Sequence, residues 1–191
     1  FQAMSHKYGQ MAVALNMAGE RFADESSGTG EELLNSCIAR QSGCKAVYVF
    51  DSAIGERAIE GSPLPRVVID RAQQAGACVI QTNSLDELTQ KMVAWGLPSH
   101  AALRTLRAYN DAIVSGNHEE LIPSRKNYSY PVVAPPFTAV LVQASITFTC
   151  GGIFTDMDMR VLRRSSSISS LALVTADVSE LQTQPIANLF A

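Results

Sequence analysis

Phe148-Thr149-Cys150-Gly151-Gly152-Ile153-Phe154-Thr155-Asp156, continued by Met157 to Leu162, decides how the rest of this 191-residue chain is read. Apolar, β-branched runs at 139–142 and 146–149 lead into the glycine pair, and a third run at 153–155 leaves it. Such residues favour strands, while adjacent glycines permit a positive φ or the close approach of another group. The residues alone describe strands meeting at a tight point without side chains.

Upstream, Met11-Ala12-Val13-Ala14-Leu15-Asn16 is an apolar strand that turns at Ala18-Gly19 and returns through Arg21, Phe22 and Glu25, a hairpin. Between the two motifs helix and strand patterns alternate. Leu33, Leu34, Cys37 and Ile38 have helical spacing, and 45–51 reads as a strand with a short helix from Ser52. A helix over 65–75 stops at Gly76, and 78–81 is a strand. Ser84 with Glu87 is a capping box opening a helix to Trp95, and Ser99 opens another to about 115. Residues 116–130 read as a polar, irregular connection.

Composition sets outer limits. With 47% hydrophobic residues the chain can bury a proper core, and a formal charge of -3 without a basic stripe argues against nucleic acid as a partner. No apolar run reaches the roughly 18 residues of a membrane span, and no charged-then-apolar leader opens the chain, so the expected location is cytoplasmic. The four cysteines (Cys37, Cys44, Cys78, Cys150) lack metal-ligand spacing and read as reduced thiols in apolar settings.

In this order and at these distances, the hairpin with Arg-Phe-x-x-Glu, the strand ending in Phe50-Asp51, the helix with Tyr109-Asn110, Pro135-Pro136-Phe137 and the Gly-Gly segment resemble one superfamily. It is that of the FAD-dependent fumarate reductases, tricarballylate dehydrogenases and 3-ketosteroid dehydrogenases, specifically the mobile substrate cap and the strands that trail it. The resemblance covers residues 5–178. It implies an α+β fold, with a cap-like domain of helices over a small mixed sheet at 1–130 and trailing antiparallel strands at 131–191, the two packed as one unit. It also implies that residues 138–177 complete a sheet in a flavin domain. Val140, Val142, Ile146, Phe148, Leu171, Leu173 and Val174 are then expected to be partly bare, which favours an isologous homodimer over a compact monomer.

The superfamily's catalytic groups carry over position by position. The proton-delivering arginine falls on Thr29, the acid and arginine that feed it on Ser5 and Tyr8, and the carboxylate-gripping histidine on Phe148. Hydroxyls and a phenyl ring supply neither the charge nor the fork that a dicarboxylate needs, so fumarate reduction is not expected. Thr29, Phe148, Thr149, Cys150, Gly151 and Gly152 are the expected substrate-binding residues, for a small apolar metabolite. His6, Tyr8 and Glu25 are the expected catalytic ones. His6 could move a proton near neutral pH or be merely an exposed histidine. Glu25 could face a pocket or pair with Arg21.

A flavin domain of this kind opens with a strand, a Gly-x-Gly-x-x-Gly turn and a helix, and no such element is read here, since Gly28 and Gly30 follow no strand. The expectation is therefore no cofactor, or FAD only with a partner domain. The leading functional reading is a cofactor-independent isomerase, cyclase or lyase. The alternatives are a subunit or fragment of an FAD-dependent oxidoreductase, and a non-catalytic binding module.

Overall fold

The structure is a computed structural model and describes residues 5–28, 32–145, 156–158 and 160. Two compact units divide the chain, 1–145 and 146–191. The first has four strands and five α-helices among its described residues, which makes it α+β as expected. The strands are β1 (Val13–Leu15), β2 (Lys45–Phe50), β3 (Val79–Thr82) and β4 (Phe137–Gln143). The helices are α1 (Leu33–Ala39), α2 (Ser52–Gly55), α3 (Pro65–Gln74), α4 (Leu85–Met92) and α5 (Ser99–Val114).

All pairings in the sheet are antiparallel, in the order β1-β2-β4-β3. β2 is buried from Ala46 to Phe50, as a near-continuous apolar run with both faces covered must be. Tyr48 lies opposite Ala14 on one side and Val140 on the other, so the register of all three strands meets at this ring. β4 corrects the expectation for the trailing segment. Phe137–Gln143 lies between β2 and β3 inside the first unit, the expected boundary after residue 130 falls within that unit, and Val140, expected to be partly bare, is 2% exposed. Ile146, Phe148, Leu171, Leu173 and Val174 lie outside the described residues.

The helices follow their sequence signals closely. Ser84 Oγ accepts from Glu87 N (3.1 Å) and opens α4, and Pro65 at the first turn opens α3. On α5, Ala102, Leu106, Tyr109 and Asn110 form the buried stripe, and α4 packs against α5, β3 and β4. Asp51 ends β2 and joins distant segments. Its Oδ1 accepts from Ile54 N (2.8 Å) at the start of α2, and its Oδ2 accepts from Val133 N and Ala134 N (2.9 Å each). Asn110 then pairs with both the N–H and the C=O of Val132, at 2.8 and 2.7 Å. Together these side chains hold the segment that feeds β4 between β2 and α5.

In the second unit, Asp156 Oδ1 accepts from Asp158 N and Arg160 N, each at 2.9 Å, a side-chain-closed turn with Asp158 exposed. The Gly151-Gly152 pair and its neighbours 146–155 lie outside the described residues.

Glycine is required at two points of close approach. A Cβ on Gly19, where φ is +79°, would lie 2.7 Å from Ala102 N, so the hairpin turn can rest on the start of α5, and Thr105 Oγ1 donates to Gly19 O (2.7 Å). A Cβ on Gly9 would lie 2.6 Å from both Leu34 Cδ2 and Tyr48 Cζ. Gly9→Ala should therefore overpack the core and lose about 1–3 kcal/mol. Urea unfolding measures it, and a midpoint equal to that of the unsubstituted protein would refute this packing argument.

Candidate functional site

The Arg-Phe-x-x-Glu motif builds a buried charge cluster. Arg21 leaves β1's hairpin at an isolated bridge to Leu15 and donates to Glu25 through Nε (3.0 Å) and Nη2 (2.6 Å). A second guanidinium, Arg125, meets the same carboxylate from the other side, with Nη1 2.9 Å from Oε2. Ala14 N donates to Oε1 (3.0 Å), and both Glu25 and Arg125 are 0% exposed. The remaining arginine donors go to carbonyls. Arg21 reaches Pro123 O (2.6 Å), while Arg125 reaches Gln10 O (2.5 Å), Ala12 O, Asn127 O and Tyr128 O (3.0 Å each). The Tyr109 ring lies under both cations, 5.3 Å from Arg21 Cζ and 6.0 Å from Arg125 Cζ. Burial works to lower the pKa of Arg21, but the hydrogen bonds and charge of Glu25 outweigh it and hold the group above its ordinary value.

Glu25 makes the ion pair with Arg21 that one of its two readings gave, and its 0%-exposed carboxylate, bonded also to Arg125 and Ala14 N, ties β1 to 121–128. Tyr8 is also buried, with its hydroxyl donating to Pro63 O (3.0 Å), and burial raises its pKa despite Ser62 and Arg71 nearby. His6 is half-buried in the short 3-10 turn His6–Gln10, and its Nδ1 lies 2.7 Å from Tyr48 Oη. The structure thus gathers His6 and Tyr8 on one turn and seats Glu25 behind it. Thr29, Phe148, Thr149, Cys150, Gly151 and Gly152 lie outside the described residues.

A cleft of about 710 Å³ opens beside this turn, lined by Lys7, Gln10 and Met11, by residues 56–60 after α2, and by Tyr128 and Tyr130. The tyrosines stand on the connection read as polar and irregular, and Arg125 explains why that reading fell short. A lone arginine amid Pro123-Ser124 and Lys126-Asn127 has no sequence signal for burial. Tyr48 and Tyr109 are core residues, 0% and 1% exposed. Cys44 and Cys78 are exposed thiols rather than apolar ones, and no group of metal-ligating side chains occurs among the described residues. No helix there is long and apolar enough to cross a membrane.

Residues 4–191 match the FAD binding domain family, and the chain belongs to that family. Among its relatives is the NADH:acrylate oxidoreductase of Vibrio harveyi, 27% identical over 157 residues, which are 82% of this chain and 14% of that one. The fold resembles the open conformation of a flavocytochrome c3 fumarate reductase at a TM-score of 0.59 and 22% identity, covering 83% of this chain and 26% of that one. It resembles 3-ketosteroid delta1-dehydrogenase from Sterolibacterium denitrificans equally, at 0.59 and 20%, covering 83% and 31%. The chain therefore spans less than a third of each of these relatives.

Family membership overturns the expectation of a cofactor-independent isomerase, cyclase or lyase. It points to FAD, where no cofactor was expected. A diphosphate cradle needs a strand, a glycine turn and a free helix N-terminus. α2 and α4 follow strands, but no glycine turn precedes either, and Asp51 and Ser84 already accept the N–H of Ile54 and Glu87 at their starts. The described residues do not fit the diphosphate.

Two outcomes test this site. Glu25→Ala should cost about 3–5 kcal/mol, because it strands two buried guanidiniums, whereas exposed Glu20→Gln should stay within about 0.5 kcal/mol; equal losses in denaturant would reject the brace. Burial, aided by the charge of Glu25, holds the pKa of Tyr48 well above its ordinary value. Its contribution to stability is present below the unfolded phenol pKa and is lost as pH rises through the folded one. In ultraviolet titration the Tyr48 phenol should ionise only together with alkaline unfolding, and Tyr48→Phe should remove one phenol from that late component.

Proposed function

We propose that this chain is the substrate-facing, cap-like part of an FAD-dependent oxidoreductase, with the flavin's diphosphate held by residues other than those described. The observation that carries this reading is the combination of a family match over nearly the whole chain with a fold shared by a fumarate reductase and a ketosteroid dehydrogenase. When bound, FAD would supply the hydride or electron chemistry. The described residues provide shape and a proton-bearing group around the substrate. His6, held against the Tyr48 hydroxyl, is a half-exposed titratable group on the turn where the superfamily resemblance sets its proton-feeding residues. Tyr8 fills space there, its hydroxyl committed to Pro63 O.

Ser5, Tyr8, Thr29 and Phe148 stand where fumarate reductases bear charge, which favours a substrate uncharged at that end. Support also comes from the ketosteroid enzyme, whose structure contains 1,4-androstadiene-3,17-dione, an apolar cyclic enone. The test joins the full chain to the nucleotide-binding portion of a structural relative from which its own cap has been removed. The hybrid should retain FAD and oxidise a reduced dye when an apolar cyclic enone is added, and fumarate should not replace the enone. A hybrid that holds FAD but oxidises dye with fumarate alone would reject the uncharged substrate. One that leaves the FAD spectrum unperturbed would reject the capping role.

A further inference from the structure

The cleft beside the His6–Gln10 turn contains cations that the fold itself does not neutralise. Several cations among the described residues have acid partners: Arg21 and Arg125 share Glu25, Arg66 takes Glu56, Lys91 takes Glu87 and Arg107 takes Asp86. Arg57 and Lys7 line the cleft and have no such ion pair. Lys7 Nζ donates only to neutral oxygens, Glu60 O at 3.4 Å and Ser62 Oγ at 3.2 Å. Of the two glutamates on the lining, Glu56 is drawn to Arg66 at 2.5 Å, which leaves two cations facing the one carboxylate of Glu60.

Arg57 is also oriented. Its Cζ lies 3.7 Å from the centroid of the Tyr130 ring, so one face of the guanidinium is covered while the N–H groups at its rim stay free to donate. The platform beneath it is anchored from the core. Tyr109 Oη donates to Tyr130 O (3.0 Å), and the fully buried Arg125 donates to Tyr128 O (3.0 Å). The Tyr128 ring stands 6.3 Å from that of Tyr130 at 53°, which adds a second aromatic surface to the same wall. A stacked guanidinium arranged in this way is suited to the paired oxygens of a carboxylate or phosphate, and aromatic walls in a cavity of about 710 Å³ are suited to a flat body.

We propose that this cleft binds a small oxyanion, carboxylate or phosphate, carried on a flat unsaturated ring. The guanidinium rim of Arg57 takes the oxygens, Lys7 supplies long-range attraction, and the ring lies against Tyr128 and Tyr130. The site uses Lys7, Gln10 and Met11, residues 56–60, and Tyr128 and Tyr130, and it does not depend on flavin.

The test uses the full chain and follows the Arg57 Nε–H resonance by NMR while benzoate, phenyl phosphate, cyclohexanecarboxylate or inorganic phosphate is added. Benzoate or phenyl phosphate should shift that resonance saturably, and the stronger of the two identifies the head group. Cyclohexanecarboxylate and inorganic phosphate should bind more weakly, since neither offers a flat ring. Calorimetry should show Arg57→Ala weakening the better probe at least about tenfold, as expected when a charge-assisted fork is lost. Tyr130→Leu should erase the preference for benzoate over its saturated analogue. Arg104→Ala, an exposed cation on α5, should change nothing. Absence of any shift at Arg57, undiminished binding to Arg57→Ala, or equal binding of the flat and saturated acids would each overturn the proposal.

Discussion

Glu25 between Arg21 and Arg125 is the contact on which the other arrangements rest. Bringing one carboxylate and two guanidiniums out of water is costly, and their mutual attraction repays that only when every donor finds an acceptor. Here the donors reach the carbonyls of Gln10, Ala12, Pro123, Asn127 and Tyr128, and no buried side-chain polar atom among the described residues is left unpaired. The cluster therefore fixes backbone as much as side chains. It sets the strand β1, the hairpin return and the connection after α5 at one spacing, and Tyr109 on α5 closes it from below. The turn bearing His6 and the tyrosine wall of the cleft are both positioned from this cluster.

The sheet's topology follows from a second constraint. β4 comes last in sequence among the paired strands but lies inside the sheet, so β2 and β3 meet only through it. Until Phe137–Gln143 arrives, β3 has no strand partner and the apolar residues of β2 lack one neighbour. Asp51 and Asn110 guide that arrival, since they hold Val132, Val133 and Ala134 through backbone hydrogen bonds immediately before the strand. Long-range closure of this kind costs chain entropy before it gains burial.

Much of the local structure was legible in the residues. The cap at Ser84, the helix opened near Ser99, the hairpin and the β2 run all appear as read, because each signal acts over one or two turns of chain. What escaped depends on distance. Nothing near Arg125 marks it as buried, for the partner that neutralises it is Glu25, a hundred residues earlier. β4's interior position could not be told from that of a trailing edge strand, since strands of either kind are apolar and β-branched. The inference that no cofactor is involved failed for a related reason. It treated a missing glycine motif as a property of the protein's chemistry, whereas family membership is encoded across the whole matched span. At the site, His6 and Tyr8 were named as candidates without any reading of their surroundings, and the partners they meet, Tyr48 and Pro63, lie far along the chain.

The way the chain enters and leaves the first unit gives it a mechanical asymmetry. It enters through a short turn and edge strand β1, which can peel away one hydrogen bond at a time. It leaves from β4, with neighbours on both sides, and Asn35 clasps Ser145 at the exit through its N–H (3.0 Å) and its C=O (2.8 Å). Tension applied from the carboxyl-terminal side must shear two ladders at once rather than unzip one. Within the first unit, β4 is thus the end of the sheet that resists pulling, whereas tension at β1 is absorbed by local fraying.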